Sequence, residues 1–403
     1  MSDRILPLAG LKVIDAASFI AAPAAATVLA DFGADVIKVE EKGEGDPNRR
    51  LHQLPGMPPH DVPYSWALDS RGKRSLAVDL KQPAGREVVT RLVRRADIFI
   101  TNFPFQVRER LGLRYEDLAP LNDRLIYASF SGYGETGPDR DRPGFDTNAY
   151  FARSGISHAL RVADGPPSQA VPGGGDRPTA MSLFAGILMA LMLRERTGKG
   201  TRVTSSLLAN GLWANGVLAQ ASLLGTVPGP RRPRHDPWNA VGTQYRSRDG
   251  RWFVLNLVQE EKLWPRLCEA IGRPDLATDP RFDQLKKRRA DPKALFAILD
   301  PIFAGRDWAD WAATLSRFDI TFGLIAELRD IPGDEQAVHA GAVVPSDDPA
   351  VGRTIAAPFH VDGIARRAPG PAPGLGQDTD AILAEAGYDG AAIAKLRADG
   401  IVT

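Results

Sequence analysis

Cysteine is almost missing from this chain: Cys268 stands alone among 403 residues. A single thiol excludes an internal disulfide framework and fits a reducing compartment. Its place in the helix-like run KLWPRLCEAIG reads as a buried structural thiol. Charge of one sign is missing as well, since Lys+Arg 50 against Asp+Glu 49 leave a net +1. Nucleic acid as a partner would require a strong basic surplus, so none is expected. Long hydrophobic runs are also lacking. The longest, LFAGILMALML from Leu183 to Leu193, falls short of the roughly 20 residues that span a bilayer and reads as a buried core helix. Asp3, Arg4, Lys12 and Asp15 break up any apolar stretch at the N-terminus. No signal peptide and no membrane partner are therefore expected, and the cytoplasm is the expected compartment.

What remains is an ordinary globular composition, 43% hydrophobic and 25% charged, in a length suited to two or three domains. The first forty residues are the clearest. LKVIDA (Leu11 to Ala16) is a short apolar run suited to a buried strand. PAAATVLADFGA, with Pro23 in a plausible first turn and Gly33 at the stop, is a helix, and DVIKVE (Asp35 to Glu40) is a second strand. Strand, helix and strand over about thirty residues make a βαβ unit and imply a parallel sheet. The alternation continues with strands at SLAVDL, DIFITNF and LIYASFS and a helix at Pro83 to Ala96, whose apolar Val88, Val89, Leu92 and Val93 share one face. The expected fold class is α/β, a doubly wound, Rossmann-like large domain with a smaller α+β domain. Ligands of such sheets lie beyond the carboxyl ends of the strands, here Ala17–Pro23, Glu41–Arg50, Asn102–Arg110 and Ser131–Gly137. The Pro/Gly/Arg-rich stretch Gly225 to Pro237 reads as a boundary, and GTQYRSRDGRWFVLNL after it reads as a hairpin turning at Asp249-Gly250. The expected organisation is residues 1–199 in the large domain, 200–225 as linker, 226–330 as the small domain, and 331–403 returning to the large one.

The first strand-to-helix turn, ASFIAAPAAA, has no glycine. Phosphate-binding turns of dinucleotide enzymes need glycines for a tight turn and close backbone approach, so a nicotinamide cofactor is not expected, even though Glu40 stands where a ribose-binding acid would. GYGETG (Gly132 to Gly137) matches the glycine fingerprint but runs into PDRDRPGFD, which cannot open the required helix. It reads either as a mobile loop approaching a ligand or as a plain connection.

PGGGDRPTAMSLFAGILMALMLRERTGKG carries the most chemistry. Three glycines, Gly173 to Gly175, precede Asp176, and Pro178 opens a long apolar helix that closes with Arg194 and Arg196. Aspartate is a favoured helix N-cap, worth about 1 kcal/mol, and this alone accounts for it. A helix N-terminus also favours the carboxylate anion, glycines clear its approach, and an approachable carboxylate can act as a covalent nucleophile on an acyl group. The two readings do not exclude each other.

This segment resembles the active-site stretch of the class III CoA-transferases, the CaiB/BaiF and formyl-CoA transferase-like superfamily. The opening PLAGLKVIDAASFIAAPAAATVLADFGADVIKVE is similar to that family's, and EGDPNRR, RGKRSLAVDL, ADIFITNF, LGLRYEDL, DRLIYASFSGYGETGP and GLGQDT follow in family order over essentially the whole chain. The resemblance implies that coenzyme A moves from an acyl-CoA donor to a carboxylic acid acceptor. Asp176 would be the nucleophile, passing through an aspartyl anhydride and an aspartyl-CoA thioester. Coenzyme A and acyl-CoA would be substrates, with no tightly bound cofactor and no metal, and the chain would form an intertwined homodimer. By matching position, Ile20 and Ala21 would approach CoA, and Leu68, Arg71, Lys73 and Arg74 would lie on its adenine side. Asn102, Phe103 and Pro104 would make a contact after the strand, Arg110 would meet a phosphate, and Ser131, Gly132 and Gly134 would contact CoA, with the loop Gly132–Gly137 covering the intermediate. Glu41 replaces the basic residue or proline frequent in relatives, so Lys42, Arg49 or Arg50 would have to compensate. The GGGGQ-like loop of formyl-CoA:oxalate enzymes is absent, which counts against oxalate as acceptor. The α-methylacyl-CoA racemases of the same superfamily move an α-proton with a histidine–aspartate pair. The matching string here is G-F-D, with Phe145 ahead of Asp146, and His158 reads as an exposed loop residue. Transfer is thus favoured over racemisation. An intramolecular CoA isomerase, or a non-catalytic CoA-binding protein in which Asp176 is only a cap, are the alternatives.

Overall fold

The computed structural model describes residues 5–163, 165–229 and 231–403. Six strands, β1 (Lys12–Ala16), β2 (Asp35–Glu40), β3 (Arg74–Ala77), β4 (Ile98–Thr101), β5 (Ile126–Ser131) and β6 (Thr201–Ser206), form one sheet. Their order is β3-β2-β1-β4-β5-β6 and every neighbouring pair is parallel. Successive side chains point to opposite faces of a strand, so each apolar run feeds two cores. Val13, Ile98, Ile100, Ile126 and Ala128 pack beneath α1 (Ala21–Asp31) and α5 (Asp176–Thr197). Ile14, Phe99 and Tyr127 pack on the other face against Val88, Val89, Leu92 and Val93 of α3 (Pro83–Val93) and against Ile382, Leu383 and Leu396 near the C-terminus. Between these lie the short helices α2 (Tyr64–Ser70) and α4 (Phe105–Leu111). The tail reaches the edge strand through an antiparallel bridge between Val78 and Val402.

The sixth strand, TRVTSS, carries no apolar run, and most of its residues are half-exposed. An edge strand needs only one buried face, so hydrophobicity does not announce it. Helix α5 differs from the buried core helix expected of its sequence. Its 22 residues are long and apolar enough to cross a membrane by length and composition. One face, with Leu183, Phe184, Ile187 and Ala190, is buried on the sheet. The other leaves Met189 66% and Met192 55% exposed.

Two compact units divide the chain: residues 1–158, 169–227 and 336–403 form the first, and 159–168 with 228–335 form the second. The second unit holds a three-stranded antiparallel sheet of Gln244–Arg246, Trp252–Leu255 and Phe322–Leu324. Tyr245, Phe253, Phe303 and Trp311 stack in its core. Cys268 is fully buried there, and burial pushes its thiol up to about 12, so it is neither thiolate nor reagent-accessible in the folded unit.

Candidate active site

The strand order reverses between β1 and β4, and the crevice above that point is where ligands of doubly wound sheets settle. The two loops there are stitched together. The Ser18 N–H donates to Asn102 Oδ1 at 2.8 Å, and Asn102 Nδ2 donates back to the Ser18 carbonyl at 2.7 Å. The β1–α1 turn, which has no glycine, is made by Phe19 in the left-handed region at φ 65. That conformation costs a side-chain-bearing residue of order 1–3 kcal/mol and is held in place. The Phe19 N–H donates to Asp46 Oδ1 at 3.0 Å, and its carbonyl accepts from Asn48 Nδ2 at 3.1 Å. Asp46 is in turn paired at 2.7 Å with Lys38, which also donates to the Ala17 carbonyl. Burial pulls the Lys38 ammonium down, but Asp15 and Asp46 more than offset it and hold it above the usual lysine range. Ile20, immediately before α1, and Ala21 are buried beneath this turn.

Most of the basic residues singled out for CoA are already committed. Arg71 is buried and bidentate to Asp31 (2.7 and 3.1 Å), and it also donates to the Leu68 carbonyl on α2. Lys73 is buried against Asp15 at 2.8 Å and against the carbonyls of Pro23 and Asp69. Arg74 is shared between Asp35 and Glu385. The same holds for the compensating residues. Arg49 is bidentate to Glu40 at 2.8 Å, Arg50 pairs with Glu44, and Lys42 donates to the Gly400 carbonyl. Glu40 additionally accepts from Ser75 and the Asp46 N–H, which leaves it no part as a ribose ligand. Arg110, exposed on α4, keeps a guanidinium with no hydrogen-bond partner among the described residues. Phe103 is half-buried against the second core and Pro104 precedes α4 in the open.

Asp176 does not cap its helix. It is the first residue of α5, Gly175 holds the cap position, and no side-chain cap bond is made. The glycines ahead of it have separate reasons to be glycine. A Cβ on Gly175 would stand 2.5 Å from the Tyr150 ring, and one on Gly173, at φ +69, would stand 3.1 Å from Ile20 Cδ1. The triplet is thus wedged between the β1–α1 turn and Tyr150, and it delivers the Asp176 carboxyl half-buried with no hydrogen bond among the described residues. Burial, followed by the charges of Asp146 and Asp69, pushes that carboxyl up to about 7 against the pull of Arg177. The helix N-terminus pulls the same way as Arg177, by about 0.3–1 kcal/mol, less than one pKa unit. The group therefore sits near neutrality, not as the fixed anion a helix N-terminus alone would give.

Three further side chains belong here that sequence reasoning passed over. Asp146, next to the exposed Phe145 of the G-F-D string, is buried, and its Oδ2 has no hydrogen-bond partner among the described residues. Asp69, on α2, is also buried; it accepts from Arg177 NH2 at 3.1 Å and from Asn48 at 3.4 Å. Burial raises its carboxyl, with Arg177 and Lys73 opposing. Only Asp146 had any signal in sequence, its place in that string. Asp69 and Arg177 lie 108 positions apart, and no periodicity joins them. Phe145 meets Phe19 edge-to-face at 5.6 Å, closing this end of the crevice. His158 is exposed, at the third position of a four-residue helix and not in a loop.

The segment after β5 is an anchored loop. Ser131 Oγ accepts from the Gly134 N–H at 3.0 Å, and the Gly132 carbonyl accepts from Leu208 N–H at 3.0 Å. The backbones of Gly132 and Gly144 cross so closely that a Cβ on Gly132 would stand 2.7 Å from Gly144 Cα. Between them Glu135 is buried in ion pairs with Arg108 at 2.8 Å and Arg202 at 2.5 Å. Both ends and the middle are tied, and the loop leads directly into Asp146.

Comparison with known proteins adds an independent line. The family described as CoA-transferase family III matches residues 8–379. The (R)-2-hydroxy-4-methylpentanoate CoA-transferase of Clostridioides difficile is 33% identical over 388 residues, 95% of this chain and 96% of its own. The cinnamoyl-CoA:phenyllactate CoA-transferase of Clostridium sporogenes is 34% identical over 343 residues, 84% of this chain and 82% of its own. Among solved structures, a CAIB/BAIF family protein from Brucella suis superposes with a TM-score of 0.84 at 30% identity, covering 94% of this chain and 99% of that one.

Proposed function

Because the chain belongs to CoA-transferase family III, and is therefore a transferase acting on CoA thioesters, we propose that it exchanges CoA between carboxylic acids with Asp176 as the covalent nucleophile. The observation that carries this reading is the Asp176 carboxyl itself, which neither caps its helix nor pairs with a base and stands half-buried behind three glycines. Its carboxylate attacks the donor thioester carbonyl and expels CoA thiolate to give a mixed anhydride. The thiolate attacks the aspartyl carbonyl of that anhydride, releasing the donor acid and leaving an aspartyl-CoA thioester. The acceptor carboxylate runs the sequence in reverse. Each exchange is thereby divided into easier steps. Exclusion of water matters because an anhydride hydrolyses; the Phe19–Phe145 contact would supply apolar cover and the anchored loop Gly132–Gly137 a fixed wall.

For CoA, the exposed Arg110 is the proposed phosphate contact among the matched basic residues. Arg71, Lys73 and Arg74 are assigned to holding the crevice, since their charges already have carboxylate partners. Ile20, Leu68, Asn102, Phe103 and Pro104 would line the approach. Coenzyme A enters as substrate, and no resident cofactor is invoked. An intertwined homodimer is part of the same proposal. Leu212, Trp213, Val217, Leu223 and Leu224, together with the outer face of α5, are exposed apolar residues of a size and number that a solitary surface rarely carries.

Intact-protein mass spectrometry tests the nucleophile. Incubation with acetyl-, butyryl- or succinyl-CoA should add the mass of CoA to the chain, and hydroxylamine should convert the adduct to a hydroxamate at Asp176. Asp176→Asn should take up neither. Measurable CoA binding with no adduct from any donor would return the chain to the racemase or binding-protein alternatives.

A further inference from the structure

A carboxylate acceptor must approach Asp176 through a strongly acidic neighbourhood. Asp146 is buried with an Oδ2 unpartnered among the described residues, and Asp69 is buried as well. Both raise the energy of negative charge at Asp176, and a second anion would meet the same repulsion. Among the described residues Arg177 is the cation that acts on Asp176 against them. Its guanidinium is not fully spent. One NH2 is fixed on Asp69 Oδ2 at 3.1 Å, while Nε and NH1 make no hydrogen bond among the described residues and the side chain is 38% exposed. NH1 lies 3.8 Å from where a Gly173 Cβ would be, so the arginine folds back over the glycine that faces Ile20.

We propose that Arg177, held by Asp69, is the residue that receives the carboxylate of the acceptor acid, and equally of the departing donor acid, beside Asp176. This rests on the transfer reading above. A guanidinium anchored through one NH2 hydrogen still presents an N–H edge, completed by the other NH2 hydrogen, and such an edge is matched to a carboxylate. The acceptor's free oxygen then attacks the aspartyl-CoA carbonyl, a C–O bond forms as the C–S bond breaks, and CoA leaves as thiolate. The thiolate next attacks the acceptor's carbonyl, regenerating the Asp176 carboxylate and the new thioester. Asp69 is a positioning residue that acts through Arg177.

The test needs no knowledge of the natural acceptor, because the acid of any acyl-CoA that modifies Asp176 is itself an acceptor in reverse. With such a donor, exchange of its 13C-labelled free acid into the acyl-CoA pool is followed against acid concentration, and formation of the Asp176–CoA adduct is timed by mass spectrometry. In Arg177→Met the half-saturating acid concentration should rise at least about tenfold and adduct formation should slow with it, because the departing acid loses the same partner, while binding of free CoA, read by calorimetry, stays within about threefold of the unaltered chain. Arg177→Lys should fall between. Asp69→Asn should raise the half-saturating concentration by less. Since Arg177→Met strands a buried carboxylate, the double variant Asp69→Asn/Arg177→Met is measured alongside and should reproduce the tenfold rise. An unchanged acid dependence would overturn the assignment. So would a matching loss of free-CoA binding, which would tie Arg177 to CoA instead of to the acid. Absence of any adduct in the unaltered chain would remove the transfer reading, and this one with it.

Discussion

The Asp176 carboxyl makes two measurable demands. Held at about 7 against an ordinary 3.8, it keeps a proton in the folded chain where the unfolded chain has lost one. Its contribution to stability is therefore whole below about pH 4 and is lost as pH rises through about 7. Asp176→Asn should raise the thermal midpoint at alkaline pH by about 2 °C or more and leave it nearly unchanged at acid pH, read by calorimetry across the range. Only the carboxylate attacks a thioester, so adduct formation should climb with pH through about 7 and then level off. A profile already flat from about pH 5 upward would mean that the helix N-terminus outweighs burial and the neighbouring carboxylates.

Elements bring these residues together, and they differ in how far sequence reveals them. Strands β1 to β5, and α3 to within a turn of its C-terminal end, are legible because buried parallel strands are continuous apolar runs and the helix repeats on one face. β6 is not, being a polar edge. Asp176 is legible as a special position from its glycines and the helix after it. The ion pairs that fix these loops, Asp69 with Arg177 and Glu135 with Arg108 and Arg202, join distant segments and leave no mark in spacing. The partners of Arg71, Lys73 and Arg74 are hidden for the same reason: sequence shows a basic cluster, and only the fold shows the acids it faces. The glycine-rich loop likewise looks mobile in sequence and is tethered in the structure. Glu135→Ala should cost about 3 kcal/mol, because it strands the buried Arg108, and denaturant titration would read it. Gly132→Ala should be worse than an ordinary surface change, since its Cβ would meet the Gly144 backbone at 2.7 Å. About 1–3 kcal/mol lost, with slower transfer as Asp146 shifts, is the expected result.

At the scale of the molecule, the half-exposed α5 and the apolar helices after β6 demand cover. Sedimentation should give twice the 43.5 kDa chain mass, and Trp213→Glu, at an 86% exposed position, should shift it toward the monomer while the isolated fold keeps its helix content. A monomer in the unaltered chain would oppose the dimer proposal. The second unit carries a different opportunity. Cys268, the single cysteine of the chain, is sealed in that unit's core with its thiol held up to about 12. An alkylating reagent can therefore reach sulfur only in those moments when the smaller unit opens. The chain thus contains its own clock: the rate of thiol capture, followed against denaturant, times the opening of one unit while the other, lacking any thiol, stays silent.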